Sequence, residues 1–574
     1  MAEDSLPLPA WRPAQDLRPF LYGLGLLLVV GLFTTLPTLV LVLGSFDVAP
    51  QGERFRWGWD NWQSVLSDPA IRRAMGYTFL LSLRAPIGVA LAFIIAWLLV
   101  RIEIPGRRLI EYGLWFAFFL PTLPLAVGWI LLLDPNYGLV NELLQRIGLA
   151  DHAIFSIYSV LGIMWVHLSL TVIPINVILL APAIRQMDIA FEEAASIAGA
   201  HRLRILMRIT LPLLAPACLT ALIVGFVKSL EAFEVEQILG VPAKIRVFAT
   251  TIYDYVHWDP PRLGEAMALS SLFLLLLLLV ALLYRFILGT REGHATITGK
   301  TTRIRAATRP RWGWLASAIL LAYMAVALLL PLAVLLLGTF TRLFGFFFMA
   351  NAWTARHWLS VLGDPDFRQA FANSFLVAGC TACLGTLLYA LLAWCIARSS
   401  LWGRQILNLL IWLPWAIPGI LLGFSMLTLL LNVPGLSLIH GTVLSLILVL
   451  LIKEVPLGVQ MLKTAIFQIA REIEEAGRTS GASFPAIFRR ILLPLIAPMF
   501  GSVFLLTFVA AFRDISATIL LAGPSSRTMA ILMIELGEEG RFEAMAVVGV
   551  ILSLVVLAMT AAMRRLQARV SLLA

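Results

Sequence analysis

Twelve apolar windows dominate the chain and leave few folds open to it. They fall near residues 20–45, 75–99, 109–133, 155–184, 211–233 and 266–288, then near 314–340, 371–397, 405–431, 441–465, 493–522 and 543–565. Each is long enough for a helix to cross a hydrocarbon core of ~30 Å, which takes about 20 residues. Lipid offers no hydrogen bonds, so apolar windows of this length must satisfy their own backbone groups as helices. The expected fold class is an all-α polytopic membrane protein of about 12 transmembrane helices, six and then six. Residues are 60% hydrophobic and 13% charged, far from the balance of a soluble domain, so the lipid bilayer must solvate much of the surface.

The formal net charge of +10 is spread over short loops rather than one patch, which argues against a nucleic-acid partner. Arg101, Arg107 and Arg108, then Arg185, Arg202, Arg204 and Arg208, then Arg398 and Arg404, then Lys463, Arg471, Arg478, Arg489 and Arg490 all fall on one side of an alternating topology. The positive-inside rule makes that side cytoplasmic and puts both termini inside. Residues 1–19 hold Asp4, Asp16 and four prolines, which predicts a cytoplasmic tail rather than a cleaved leader. The four cysteines (Cys218, Cys380, Cys383 and Cys395) lie in apolar windows without a metal-binding companion set, as small core residues do.

The chain also repeats itself. Glu192–Pro216, EEAASIAGAHRLRILMRITLPLLAP, aligns with Glu474–Pro498, EEAGRTSGASFPAIFRRILLPLIAP, at a shift of 282 residues. Trp62…Asp68-Pro69 aligns with Trp358…Asp364-Pro365 at 296, and Leu120-Pro121 is matched to Leu413-Pro414. Six spans restore the starting side, so the duplication is parallel, about an axis along the membrane normal. The expected organisation is a first unit over 1–288, a linker over 289–312 and a second unit over 313–574. Gly293…Gly299-Lys300-Thr301 in the linker has five residues between its glycines where a phosphate loop needs four, and no strand precedes it.

Acidic residues suit the start of a short helix, and Gly199 and Gly481 can end one at positive φ. Each repeated loop therefore reads as a helix–glycine–helix elbow that leads through Leu-Pro into the fifth span. Glu193-Ala194-Ala195…Gly199…Ile209-Thr210-Leu211-Pro212 resembles the signature loop of permeases in bacterial binding-protein-dependent ABC importers. The second copy, Glu475-Ala476-Gly477…Gly481…Ile491…Pro494, departs only in Gly477. The resemblance implies the type I importer transmembrane fold in a fused, two-repeat form, in a bacterial inner membrane. It implies that Glu193, Ala194, Ala195, Gly199, Ile209 and Pro212, with Glu475, Ala476, Gly481, Ile491 and Pro494, couple to two copies of a cytoplasmic ATP-binding-cassette ATPase. An extracytoplasmic solute-binding protein would deliver the cargo. No cofactor is expected on this chain, ATP and Mg belonging to the partner subunits, and no catalytic role or resident metal site is expected of it.

Charges inside spans are functional by default, and nine ionisable residues qualify: Arg84, His167, Lys228, Glu231, Glu234, Lys453, Glu454, Arg513 and Asp514. Glu231 and Arg513 are related by the 282-residue shift and are expected either to pair as a gate across the pathway or to be solvated at the outer interface. Lys453-Glu454 is expected to form a local pair or to snorkel. The segments after the fifth spans, Glu231…Gly240-x-Pro242…Tyr253 and Arg513-Asp514-Ile-x-Ala517-Thr518, resemble the fused permeases of ferric-iron importers. Ferric iron is the expected cargo, with 2-aminoethylphosphonate, thiamine or polyamine as alternatives. A major-facilitator-type secondary transporter is the remote alternative; it leaves the duplicated elbow unexplained. An intramembrane enzyme lacks any placeable nucleophile–base pair.

Overall fold

A computed structural model describes residues 18–49, 53–288, 310–399 and 401–571. Among them only three isolated β-bridges interrupt an all-helical fold. Ten helices are long and apolar enough to span: α1 (Leu21–Gly44), α2 (Pro69–Arg101), α4 (Val160–Gln186), α5 (Leu203–Leu230), α6 (Leu263–Val280), α7 (Trp312–Gly338), α8 (Pro365–Arg398), α10 (Val443–Phe467), α11 (Pro485–Phe512) and α12 (Phe542–Ala562). The third apolar window of each half departs from expectation. It is a bent pair, α3 (Arg107–Phe119 with Thr122–Leu133, at 102°) and α9 (Arg404–Ala416 with Gly419–Asn432, at 107°). Proline lacks an N–H and disfavours helical geometry in the residue before it, so the chain turns at Leu120-Pro121 and at Ile417-Pro418.

The bends correct one alignment. Gly106 and Gly403 open these elements at φ +71° and +78°, and their second helices start at Thr122 and Gly419. The local shift is therefore 297 residues, and Pro121 corresponds to Pro418, not to Pro414. The first-loop repeat is kept in detail. Trp62 Nε1 donates to Ser45 Oγ at 3.1 Å and Trp358 Nε1 to Thr339 Oγ1 at 3.0 Å. Asp68 and Asp364 accept from Ala70 N and Asp366 N to cap α2 and α8.

The halves interlock. α1 packs on α9 of the other half, and α7 on α3. Glycines allow the approach: a Cβ on Gly23 would lie 2.4 Å from the Trp402 carbonyl oxygen, and one on Gly128 2.3 Å from that of Pro331. By contrast α5 packs on α2 and α4, and α11 on α8, α10 and α12, each within its own half. The linker expected over 289–312 lies largely outside the described residues, and the phosphate-loop lookalike lies wholly outside them.

Candidate functional site: paired elbows and a charged cavity

The elbow helices are Ala190–Ile197 and Arg471–Thr479. Asp188 accepts from Ala190 N at 3.0 Å, which satisfies a free N–H at the first helix start. Gly199 and Gly481 follow the helices at φ +84° and +78°. The second arm is not a separate helix but the first turns of α5 and α11. In both copies it widens into a π turn, Leu206–Thr210 and Phe488–Leu492, just ahead of Pro212 and Pro494. Each such proline lacks an N–H and crowds the carbonyl four residues back, and a π turn relieves that crowding.

Glu193, Ala194, Gly199, Pro212, Glu475, Ala476, Gly481 and Pro494 are exposed; Ala195, Ile209 and Ile491 are half-buried. Ile197 stands 89% exposed at the end of its helix. The preceding glutamates turn the other way, because neighbours on a helix point about 100° apart. Glu192 Oε2 lies 3.3 Å from Arg101 Nε, and Glu474 Oε1 lies 3.1 Å from Arg398 Nε. Arg101 also donates to the Met187 carbonyl at 3.2 Å, and Arg398 to those of Ile466 (2.8 Å) and Ile469. Met187 and Ile469 stand at equivalent positions after α4 and α10. One arginine per half thus ties the end of its second span to the end of the fourth and to the elbow. Neither Nε is aligned for a hydrogen bond to its carboxylate, so charge holds the pairs.

Between the halves lies a cavity of about 390 Å³. All nine ionisable residues singled out in the spans line it. Its base is a buried cluster in which Arg84 Nη1 donates to Glu236 Oε1 at 2.8 Å and His167 Nε2 lies 3.0 Å from the same oxygen. Lys453 pairs with Asp514, and Lys228 with Glu231 at 2.8 Å. Arg513 Nη1 reaches the carbonyls of Phe118, Phe119 and Leu120 at 3.0, 3.1 and 3.1 Å. Those carbonyls end the first helix of α3, where the bend leaves them without helical donors. Glu234 accepts from Thr122 on the far side of that bend. Among the described residues Glu454 has neither ion pair nor hydrogen bond, and no group of His, Cys, Asp and Glu has the geometry of a metal site. The cavity extends along α4 through Ile175 and Leu179 toward the elbow face, while Phe233 and Val235 are buried at its other end.

Residues 385–572 match the family described as the binding-protein-dependent transport system inner membrane component. The ferric transport system permease protein FbpB of Actinobacillus pleuropneumoniae is 25% identical over 541 residues, 93% of this chain and 76% of that protein. The Fe(3+)-transport system permease protein FbpB 2 of Haemophilus influenzae is 22% identical over 538 residues, 92% and 94% of the two chains. The chain is a fused permease of a binding-protein-dependent ABC importer. A solved bacterial ABC transporter involved in import of the acidic polysaccharide alginate covers 47% of this permease and 96% of its own chain, at 21% identity and a TM-score of 0.41.

Two expectations about the charges need correction in this permease. Glu231 and Arg513 share the cavity but do not pair: Glu231 is held by Lys228, and Arg513 by backbone carbonyls. Lys453 does not pair with Glu454, since adjacent helical residues diverge, but with Asp514 across the turn after α11. The windows at 211–233 and 493–522 also run past their helices, which end at Leu230 and Phe512. Sequence reasoning missed the Arg101 and Arg398 ties and the burial of Glu236. A lone Arg84 within a span was the available signal for an acidic partner.

Proposed function

We propose that this permease passes ferric iron, delivered by an extracytoplasmic binding protein, and is driven by two ATPase subunits seated on its elbows. The observation that carries the reading is the duplicated elbow, exposed at Glu193–Ala194 and Glu475–Ala476 and tied inward by Arg101 and Arg398. An exposed face joined through buried charge to three spans is a lever: when the ATPases close, the elbows approach and α2, α4 and α5 move with them. ATP and Mg belong to those partners, and this chain binds no cofactor of its own. The elbow face is the cytoplasmic one, with both chain termini on that side.

The cargo reading rests on the likeness to ferric permeases over most of the chain and on two cavity carboxylates, Glu454 and Glu234, that form no ion pair among the described residues. A passing cation would meet oxygen ligands there without a fixed cage, which suits transit rather than storage. The test is uptake of radiolabelled ferric ion in proteoliposomes holding the permease, its ATPase and its binding protein. ATP-dependent accumulation is expected, with loss of transport when Glu193, Gly199, Glu475 and Gly481 are replaced together. Uptake of an organophosphonate, thiamine or polyamine in place of iron overturns the cargo. Uptake that stops when ion gradients collapse while ATP persists overturns the machine.

A further inference from the structure

On the elbow face, apart from the central cavity, α8, α9, α10 and the helix Arg471–Thr479 enclose a pocket of about 500 Å³. Arg404, Lys463 and Arg471 line it, and among the described residues no carboxylate does. Lys463 Nζ has only neutral company, Asn408 Oδ1 at 2.9 Å, and Arg404 donates to the Ser399 carbonyl at 3.3 Å. Among the described residues none of the three cations has an ion pair.

The first half shows what the place otherwise contains. Glu111, related to Asn408 by the 297-residue shift, lies 3.0 Å from Arg107 and 2.8 Å from Arg185. There a carboxylate of the chain neutralises two arginines; in the second half its counterpart is an amide. Arg107 is matched by Arg404 and Arg185 by Phe467, and Lys463 and Arg471 are cations where the first half has Ala181 and Ile189. An amide in place of the acid, with three cations around it, leaves room for an anion from outside. The pocket sits where α8 ends and α9 begins, at the level where apolar spans give way to the elbow face. Leu409 and Phe467 on its rim are 69% and 57% exposed, an apolar flank that a soluble anion has no use for.

We propose that this pocket holds the phosphodiester headgroup of an anionic phospholipid from the leaflet on the elbow side. Arg404, Lys463 and Arg471 grip the phosphate oxygens, and the acyl chains run along Leu409 and Phe467. Basic pockets between spans on the cytoplasmic side take such headgroups by charge. Because Arg471 begins the elbow helix, a bound lipid fastens the second elbow to the bilayer as the first elbow is not.

The experiment is mass spectrometry of lipid retained by the full-length permease from nanodiscs of phosphatidylglycerol and phosphatidylethanolamine. Wild type is expected to enrich phosphatidylglycerol, and R404Q/K463Q/R471Q to weaken its retention about 100-fold, at the strength typical of a basic residue near an anionic surface. N408E keeps every cation and supplies the first half's acid; it is expected to abolish the enrichment while the protein melts as wild type. R185Q in the first half is expected to leave it unchanged. Enrichment that survives N408E, or displacement of phosphatidylglycerol by equimolar inorganic phosphate, overturns the proposal.

Discussion

Removing either member of the Arg398–Glu474 tie tests the lever at its stiffest point. Both side chains are 6% exposed, so breaking the pair strands a charge where water barely reaches, at a cost of about 3–5 kcal/mol. The structure ranks the variants. R398Q leaves Glu474 with one remaining donor, Trp394 Nε1 at 3.3 Å, and falls at the upper end. E474Q leaves Arg398 its carbonyl acceptors Ile466 and Ile469 and falls at the lower end. R101Q costs less, about 1–3 kcal/mol, because Glu192 is 14% exposed and keeps Thr210 Oγ1 at 2.8 Å. Thermal unfolding in nanodiscs, followed by tryptophan fluorescence, should order the melting temperatures R398Q, E474Q, R101Q, wild type from lowest to highest. In proteoliposomes the same variants should hydrolyse ATP with less uptake per ATP. The swap R398E/E474R should recover part of both losses. If R398Q and E474Q melt and couple as wild type, the tie is a bystander and the lever argument fails.

Gly199→Ala should cost about 1–2 kcal/mol, the strain of a side chain at positive φ, since a Cβ there meets nothing within 4 Å. Gly403→Ala should cost more, because its Cβ would also lie 2.4 Å from Leu27 Cδ1; melting temperatures separate the two. Glu454→Gln should slow ferric uptake at least tenfold and leave melting unchanged, because no partner is stranded; unchanged uptake removes Glu454 from the pathway. Burial pushes the carboxyl of Asp254, on the non-spanning helix Phe248–His257, up from its ordinary value, despite Arg246 at 2.7 Å. A carboxyl raised in the folded state favours folding below its unfolded pKa, and that advantage fades as pH rises through the folded value. Wild type should therefore lose stability relative to D254N as pH rises through the carboxylate range, as pH-dependent melting would show.

Hydropathy made the spans legible because a helix in lipid must be apolar over a fixed length, and ten of the twelve windows became single helices. It is blind to direction, so it does not distinguish the bent α3 and α9 from single spans. The proline signal was present, but Pro414 falls in a 3-10 turn ahead of the bend and only Pro418 makes it. The elbow was legible from repetition; its inward contact was not. Motif spacing favoured Glu193 and Glu475, whereas the fold turns Glu192 and Glu474 toward arginines 91 and 76 residues upstream. Partners at such separations are set by packing, and a single sequence carries no record of them.

The failed Glu231–Arg513 pair points to a different way of closing the pathway. Arg513 follows α11 yet is bound to carbonyls at the bend of α3, in the other half. Lys228, near the end of α5, sits 5.8 Å from the ring centre of Trp415, which the 297-residue shift relates to Phe118 at that bend. Each half therefore extends a cation from the end of its fifth helix to the other half's bend. The two contacts differ in strength: three carbonyls hold Arg513, whereas Lys228 has one carboxylate and a distant ring. If the elbows move as proposed, α5 and α11 move with them and stretch both contacts, the weaker one yielding first. Release of Lys228 from Trp415 while Arg513 still holds α3 would open the cavity on one side of the axis, beside Glu454, leaving that carboxylate the first acid a cation entering there would meet.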